Sequence, residues 1–349
     1  MSAPTIPPTM RAWLRMRRGP PRTSLELTTT YPTPSLPSPS SEVLICVSHV
    51  ALQFSTDVIF RTIPVIPFTA PSVPELEFTG TVVAAGSAAS PDVREIGTRV
   101  IGYQSIPDMF LFGRGALAEY VRIPSSQAAR LSEESDMAAM GGVLGSGSTA
   151  LKMCRVGGVK DGDRVLVNGA SGSVGKLLVQ VCKMKGAKVV GIASGRNEEI
   201  VRDLGIDEFV DYQKHDFLPA YLASQYREEP FDFVLDCVGV QALYANSPGY
   251  LKPDGAVINI GSMEGPGALI KNWFFNALWP TWLGGVPRRY IMFSTPPTKD
   301  AAVVLIRLVE EGKLKVSVDS VFDMEDVAKA YEHLATMRAR GKVVVKVER

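Results

Sequence analysis

Residues 10–129 with 300–349 read as one β-rich domain, and residues 130–299 as a doubly wound parallel sheet flanked by helices, so the chain is predicted to be an α/β protein of two domains. Three observations predict this. Short strand-like runs bounded by glycine and proline fill the first 129 residues. From residue 164 onward, apolar runs alternate with stretches of helical periodicity, the pattern of a parallel sheet covered on both faces. The stretch Asp163–Gly175, DRVLVNGASGSVG, joins the first of those runs to the first of those helices through Gly169, Gly172 and Gly175.

In chain order, Arg11–Arg18 is expected as the first strand, behind a tail at Met1–Thr9. Met1–Arg22 is rich in arginine and free of acids, as transit peptides are; the strand reading is preferred. Glu42–Val50 is the next strand, after a loop punctuated by Pro32, Pro34, Pro37 and Pro39. Pro64, Pro67, Pro71 and Pro74 argue against regular helix over the following stretch. Glu77–Gly86 and Thr98–Gly102 read as strands, and Ala116–Ile123 alternates as a half-buried strand does. Short strands this close together predict a small barrel-like domain. Ser132-Glu133-Glu134 is expected to start a helix. Parallel strands are predicted at 164–168, 188–194, 208–212, 231–236 and 256–261. Residues 300–312 read as a helix, and 341–347 as a closing strand that returns to the first domain.

Composition narrows the function. The chain has 349 residues, 46% of them hydrophobic, and a net charge of +1, which gives no argument for a nucleic acid or an anionic membrane surface as partner. Cys46, Cys154, Cys182 and Cys237 form no C-x-x-C pair, which fits reduced thiols in the cytoplasm. Residues 269–293 are rich in aromatics, but Lys271, Asn272, Asn276, prolines and Arg288 interrupt them, so no membrane span is expected. That run is an apolar substrate wall, a homodimer contact or plain core.

The glycine turn carries the chemistry. Small residues let backbone approach a ligand closely, and the following helix offers unpaired N–H groups and partial positive charge, a seat for a pyrophosphate. The next predicted strand ends in Ser194, Gly195, Arg196 and Asn197, with no acid before Glu198. A dinucleotide site for NAD places an acid there for the ribose hydroxyl; a serine and an arginine suit a 2′-phosphate. The expected cofactor is NADPH.

Ordered blocks then add a resemblance. MRAW at 10–13, PELEFTG at 74–80, GTRVIG at 97–102, GALAEYV at 115–121, GSTALKM at 147–153, the 161–175 block, FDFVLDCVG at 231–239 and RGKVVVKV at 340–347 resemble the medium-chain dehydrogenase/reductase superfamily, in its zinc-free quinone oxidoreductase-like branch. The resemblance implies a GroES-like β-rich catalytic domain and a Rossmann cofactor domain, with a substrate cleft between them. Zinc-containing relatives carry a cysteine, Gly-His-Glu and a further ligand where this chain has Phe54, Glu75-Leu76-Glu77 and Gly145. Only Glu77 of that set can ligate zinc through its side chain, so no metal is expected.

Carried over block by block, Thr149, Ser171, Gly172, Ser173, Val174, Ser194, Arg196, Tyr212, Cys237, Val238, Gly261, Ser262 and Lys342 are implied as cofactor contacts. Relatives place Asn-Pro-x-Asp near the substrate; the segment here is Gln53-Phe54-Ser55-Thr56-Asp57. Gln53 and Thr149 are the expected catalytic hydrogen-bond donors, and Phe54, Asp57, Tyr103, Trp273 and Phe274 the expected substrate contacts. No tyrosine lies between Tyr31 and Tyr103 to act as the proton donor some enoyl reductases use, so solvent is expected to supply the proton. The resulting expectation is an NADPH-dependent reductase of a quinone or an α,β-unsaturated carbonyl in a hydrophobic small molecule. The alternative is a non-redox pathway enzyme or binding module that keeps the NADP-binding fold.

Overall fold

A computed structural model describes residues 5–65, 71–261, 265–294 and 296–348. The chain divides into two compact units, Met1–Ser148 with Pro296–Arg349, and Thr149–Thr295. The first unit opens with β1 (Thr9–Arg15), β2 (Leu25–Pro32), β3 (Glu42–Ala51), β4 (Glu77–Ala85), β5 (Arg99–Tyr103), β6 (Tyr120–Pro124) and β7 (Ala128–Arg130). The second unit holds β8 (Arg164–Asn168), β9 (Lys188–Ala193), β10 (Glu208–Asp211), β11 (Phe231–Asp236), β12 (Leu251–Asn259) and β13 (Arg289–Met292). The C-terminal segment adds β14 (Val318–Asp323) and β15 (Lys342–Lys346) to the first unit.

In the first unit β1 and β2 pair with each other, and the other strands form one sheet in the order β14-β15-β3-β4-β5-β7, with β6 on β3. All of its pairs are antiparallel except β14–β15. β3 is central because it is a near-continuous apolar run, EVLICVSHVA, that partners β4, β6 and β15. Its Val43, Ile45, Val47 and Val50 meet Phe78, Val82, Val343 and Val345 in one core, which Phe60 and Tyr331 close from two helices. The closing strand β15 pairs with β3 of the first unit. The helix after residue 132 starts later than Ser132-Glu133-Glu134: Asp136 is the N-cap, its carboxylate accepting from Ala138 N and Ala139 N. A helix at Phe54–Thr62, short of Pro64, was not expected.

The second unit is a six-stranded parallel sheet in the order β10-β9-β8-β11-β12-β13. Strand order reverses between β8 and β11, and in such sheets ligands bind outside the carboxyl ends of the strands at that switch. β8 and β11 earn their central places by composition: Val165, Leu166, Val167, Val234 and Leu235 are all fully buried. Among the described residues no helix is long and apolar enough to cross a membrane.

Candidate active site

β8 stops after Asn168 because Gly169 takes φ +78°, a conformation that side chains disfavour. Gly169 N and Ala170 N both donate to the Ile192 carbonyl, at 3.1 and 2.9 Å, and Gly172 N donates to Gly169 O at 3.0 Å. A Cβ on Gly175 would overlap the Gly169 carbonyl, so glycine is what lets the helix Ser173–Met184 begin against the turn. Gly172 is that helix's N-cap, with no side chain capping it. Gly172 and Ser173 are exposed, Ser171 and Val174 half-buried. The open first-turn N–H groups carry partial positive charge, and this cradle fits a cofactor pyrophosphate.

Asn197 joins the turns after β8 and β9: its Nδ2 donates to Ser171 Oγ at 3.1 Å and to Ser194 Oγ at 3.2 Å. Ser194 is buried and Arg196 exposed. The structure also supplies an acid that the local sequence lacks. A Cβ on Gly195 would run into Asp211 Oδ2, so the carboxylate at the end of β10 lies against this turn. It arrives from the neighbouring strand, where Asp211 stands in register with Ala193. Tyr212 follows it and is exposed.

Polar residues close the carboxyl ends of the next strands. Asp236, buried at the end of β11, accepts from Asn168 Nδ2 (2.8 Å), Val238 N (2.8 Å), Gly239 N (2.9 Å) and Val240 N (3.0 Å). Burial pushes its pKa up and these donors pull it back. They also shape the loop that carries Cys237 and Val238, both half-buried. A Cβ on Gly261 would overlap the Val238 carbonyl carbon, so the two loops touch through backbone. Asn259 grips the second of them, accepting from Gly261 N at 2.8 Å and donating to Gly261 O at 3.2 Å. A narrow cleft lies here, lined by Gly239, Gln241, Asn259, Gly261, Asn272 and Tyr290 among others. Asn168, Asp236, Asn259 and Asn197 were not named from sequence, although each of the first three is the polar residue that ends an apolar strand. Ser262 lies outside the described residues.

The aromatic run is not core. Trp273 and Phe274 are 43% and 49% exposed, and Trp282 is 79% exposed. Among the described residues of the helix Pro266–Leu278, Asn272 lines that cleft and Asn276 pairs its amide reciprocally with that of Gln241 at 2.8 Å.

In the first unit a polar cluster forms under β4. Gln53 is the N-cap of the helix Phe54–Thr62, yet its side chain does not cap it. Gln53 Nε2 donates to Glu77 Oε1 at 2.7 Å, and Lys342 Nζ lies 3.5 Å from Gln53 Oε1. Gly145 N donates to Glu77 Oε2 at 2.8 Å, and a Cβ on Gly145 would overlap that carboxylate. Burial pushes Glu77 up and Lys342 pulls it down; burial pushes Lys342 down and Glu77 pulls it up. Tyr103, half-buried, stands opposite Glu77 across β4 and β5. Phe54 is half-buried, whereas Asp57 is buried with its carboxylate accepting from Arg61 Nε at 2.8 Å. Thr149 is half-buried on the helix Leu144–Gly157 of the chain. Glu75, which sequence reasoning passed over, completes the cluster. Its buried carboxyl accepts from Gln53 N, Thr56 Oγ1 and Tyr331 OH, and burial raises its pKa to about 8.

This donor set does not fit zinc. Phe54, Leu76 and Gly145 offer no side-chain ligand, and both Glu77 oxygens already accept N–H groups. Among the described residues no three of His, Cys, Asp and Glu converge.

The comparisons with known proteins agree with this architecture. A family pattern described as an alcohol dehydrogenase GroES-like domain matches residues 39–133, and one described as a zinc-binding dehydrogenase matches residues 204–345. The chain is 45% identical to the medium chain reductase pydE of Acremonium sp, over 97% of this chain and 99% of that one. The chain belongs to the medium-chain dehydrogenase/reductase superfamily. Another relative, the trans-enoyl reductase poxH of Penicillium oxalicum, is 35% identical over 97% of this chain and 98% of its own. Among solved structures, the quinone oxidoreductase from Coxiella burnetii superposes with a TM-score of 0.81 at 27% identity, covering 97% of this chain and all of that one. Members of this superfamily are oxidoreductases that bind a nicotinamide cofactor and act on small molecules. The first unit is the GroES-like domain and the second the Rossmann-like one.

Proposed function

We propose that the protein is a zinc-independent, NADPH-dependent reductase that transfers hydride to a quinone or to the β-carbon of an α,β-unsaturated carbonyl in a hydrophobic small molecule. The observation that carries this reading is the arrangement of Gln53, Glu77 and Lys342. Where zinc-containing relatives polarise oxygen with a metal, this chain sets an amide between a carboxylate and an ammonium group. Relatives named medium chain reductase and trans-enoyl reductase support it.

When bound, NADPH supplies the hydride. The backbone of the turn at Ser171, Gly172, Ser173 and Val174 would hold its pyrophosphate, with the first-turn N–H groups of Ser173 and Val174 as donors, Ser194 and Arg196 its 2′-phosphate, and Tyr212, Cys237, Val238, Gly261, Ser262 and Lys342 the rest of it. Gln53 and Thr149 hydrogen-bond the carbonyl oxygen as negative charge builds there. Phe54, Tyr103, Trp273 and Phe274 give the substrate apolar surroundings. Solvent protonates the enolate. Four free cysteines fit a cytoplasmic setting. A homodimer contact is the competing use of the exposed aromatics, and sedimentation at micromolar concentration tests it.

Consumption of NADPH against a panel of quinones and enals tests the reading. Tight NADPH binding with no turnover on any of them would favour a binding module instead. Activity is expected to survive exhaustive chelation; loss of activity together with one equivalent of zinc would overturn zinc independence. Arg196→Ala is expected to raise the KM for NADPH by roughly ten- to a hundredfold, the worth of one charge-assisted contact, while leaving NADH little changed. Because Asp211 lies against the same turn, equal use of NADH and NADPH by the unmodified protein is the result that would reject the preference.

A further inference from the structure

Among the described residues, Glu75 and Met337 are the non-glycine residues with positive φ, and Glu75 has φ +65°. Zinc-containing relatives place glycine at the position of Glu75, and glycine adopts this conformation without strain. Strain of this kind persists only where the surroundings over-determine it. Here they do. The Glu75 carboxyl is fully buried and accepts from three sites: Gln53 N at 3.2 Å, Thr56 Oγ1 at 3.2 Å and Tyr331 OH at 2.5 Å. Tyr331 is buried too, and its ring packs against Phe60 with centroids 5.7 Å apart. One carboxyl therefore ties the start of the helix Phe54–Thr62 to the helix Val327–Ala335.

The start of the first helix has a particular need for such a tie. Its N-cap side chain belongs to Gln53, which turns away to Glu77 and Lys342 instead of serving the helix. An outside acceptor must then hold the Gln53 backbone if the amide is to stay where it is. We propose that Glu75 is a positioning residue for the reduction, a buried carboxyl placed at a left-handed backbone position so that it fixes Gln53 between Glu77 and Lys342. This rests on the assignment of Gln53 as a donor to the substrate oxygen. The role of Glu75 itself is separate: it touches no reacting atom, and it acts through the backbone N–H of Gln53 and the hydroxyl of Thr56.

The test is a double-mutant cycle with NADPH and trans-2-octenal or 9,10-phenanthrenequinone as probes. Glu75→Gly keeps a residue suited to φ +65° and removes the carboxyl. It is expected to lower kcat about tenfold with the KM for NADPH unchanged, and Glu75→Gln, which keeps the shape and an acceptor oxygen, to restore most of that loss. In a Gln53→Ala background, Glu75→Gly should add nothing; additive losses would show a role independent of Gln53 and overturn the proposal. Tyr331→Phe, which removes one donor to Glu75 and keeps the ring, should show a milder loss with the same non-additivity, so the cycle stands if the glycine variant folds poorly. Amide hydrogen exchange at Gln53 gives a readout that needs no turnover. Faster exchange in Glu75→Gly is expected, and unchanged protection there would sink the idea. If Gln53→Ala alone keeps full turnover, it is the assignment of Gln53 that falls, while exchange at the Gln53 amide still decides whether Glu75 holds it.

Discussion

Gln53→Ala is expected to lower turnover of an enal by about a hundredfold, the scale of losing one donor to a developing oxyanion, with NADPH affinity nearly unchanged. The asymmetry follows from where the side chain sits. Its amide is already oriented in the resting protein, with Nε2 on Glu77 and Oε1 facing Lys342, so little reorganisation accompanies the rise of charge on the substrate. A bond that strengthens as charge builds contributes to the transition state more than to substrate binding. Alanine removes that donor and leaves Glu77 Oε1 without its partner. Thr149→Val should have the same signature, on a smaller scale if Gln53 is the principal donor. Steady-state kinetics at saturating NADPH separate kcat from KM. Full turnover in both variants would mean that the oxygen is held by other groups.

The parallel sheet was legible because its signals are local. Val165-Leu166-Val167 declares a buried strand, and three glycines at fixed spacing declare a close turn onto a helix. The polar ends of those strands were legible in kind, since Asn168, Asp236 and Asn259 each terminate an apolar run. Their use was not, because Asp236 finds its donors in Asn168, far upstream, and in three N–H groups of the loop that follows it. Asp211 shows the limit more sharply. A search for an acid after Ala193 along the chain finds none until Glu198, yet parallel pairing of β9 with β10 sets Asp211 beside Gly195.

The first unit hid more. The prolines from Pro64 onward masked the helix at Phe54–Thr62, which ends just short of them. The Gln53 cluster draws Glu75 and Glu77, Gly145, Tyr331 and Lys342 from segments separated by up to 289 residues, so no spacing rule could collect them. The aromatic run left three uses open, and the structure removes only plain core: Trp273, Phe274 and Trp282 are exposed, while Asn276 pairs with Gln241.

The pH dependence of stability should report Glu75 directly. Its carboxyl has a pKa of about 8 in the folded protein, against an ordinary value of 4.5, with burial as the main cause. A raised pKa means that the folded state binds the proton more tightly than the unfolded chain does. The stabilisation from that proton is complete below about pH 4.5 and is lost as pH climbs through about 8, a swing on the order of 5 kcal/mol. The groups around it bear on the slope. Glu77 on β4 is raised as well and acts in the same sense. Lys342 on β15 is lowered by burial and acts in the opposite sense, since the folded state gives up its proton sooner. Tyr331 is pushed far above the range and stays neutral, and Asp57 is paired with Arg61. Urea unfolding at pH 5.5 and pH 8.5 is therefore expected to show a less stable protein at the higher pH. Glu75→Gln, neutral at both, should flatten the difference, and at pH 8.5 it should be more stable than the unmodified chain. An equal slope in the two proteins would mean that Glu75 is ionised throughout and that its three donors outweigh its burial.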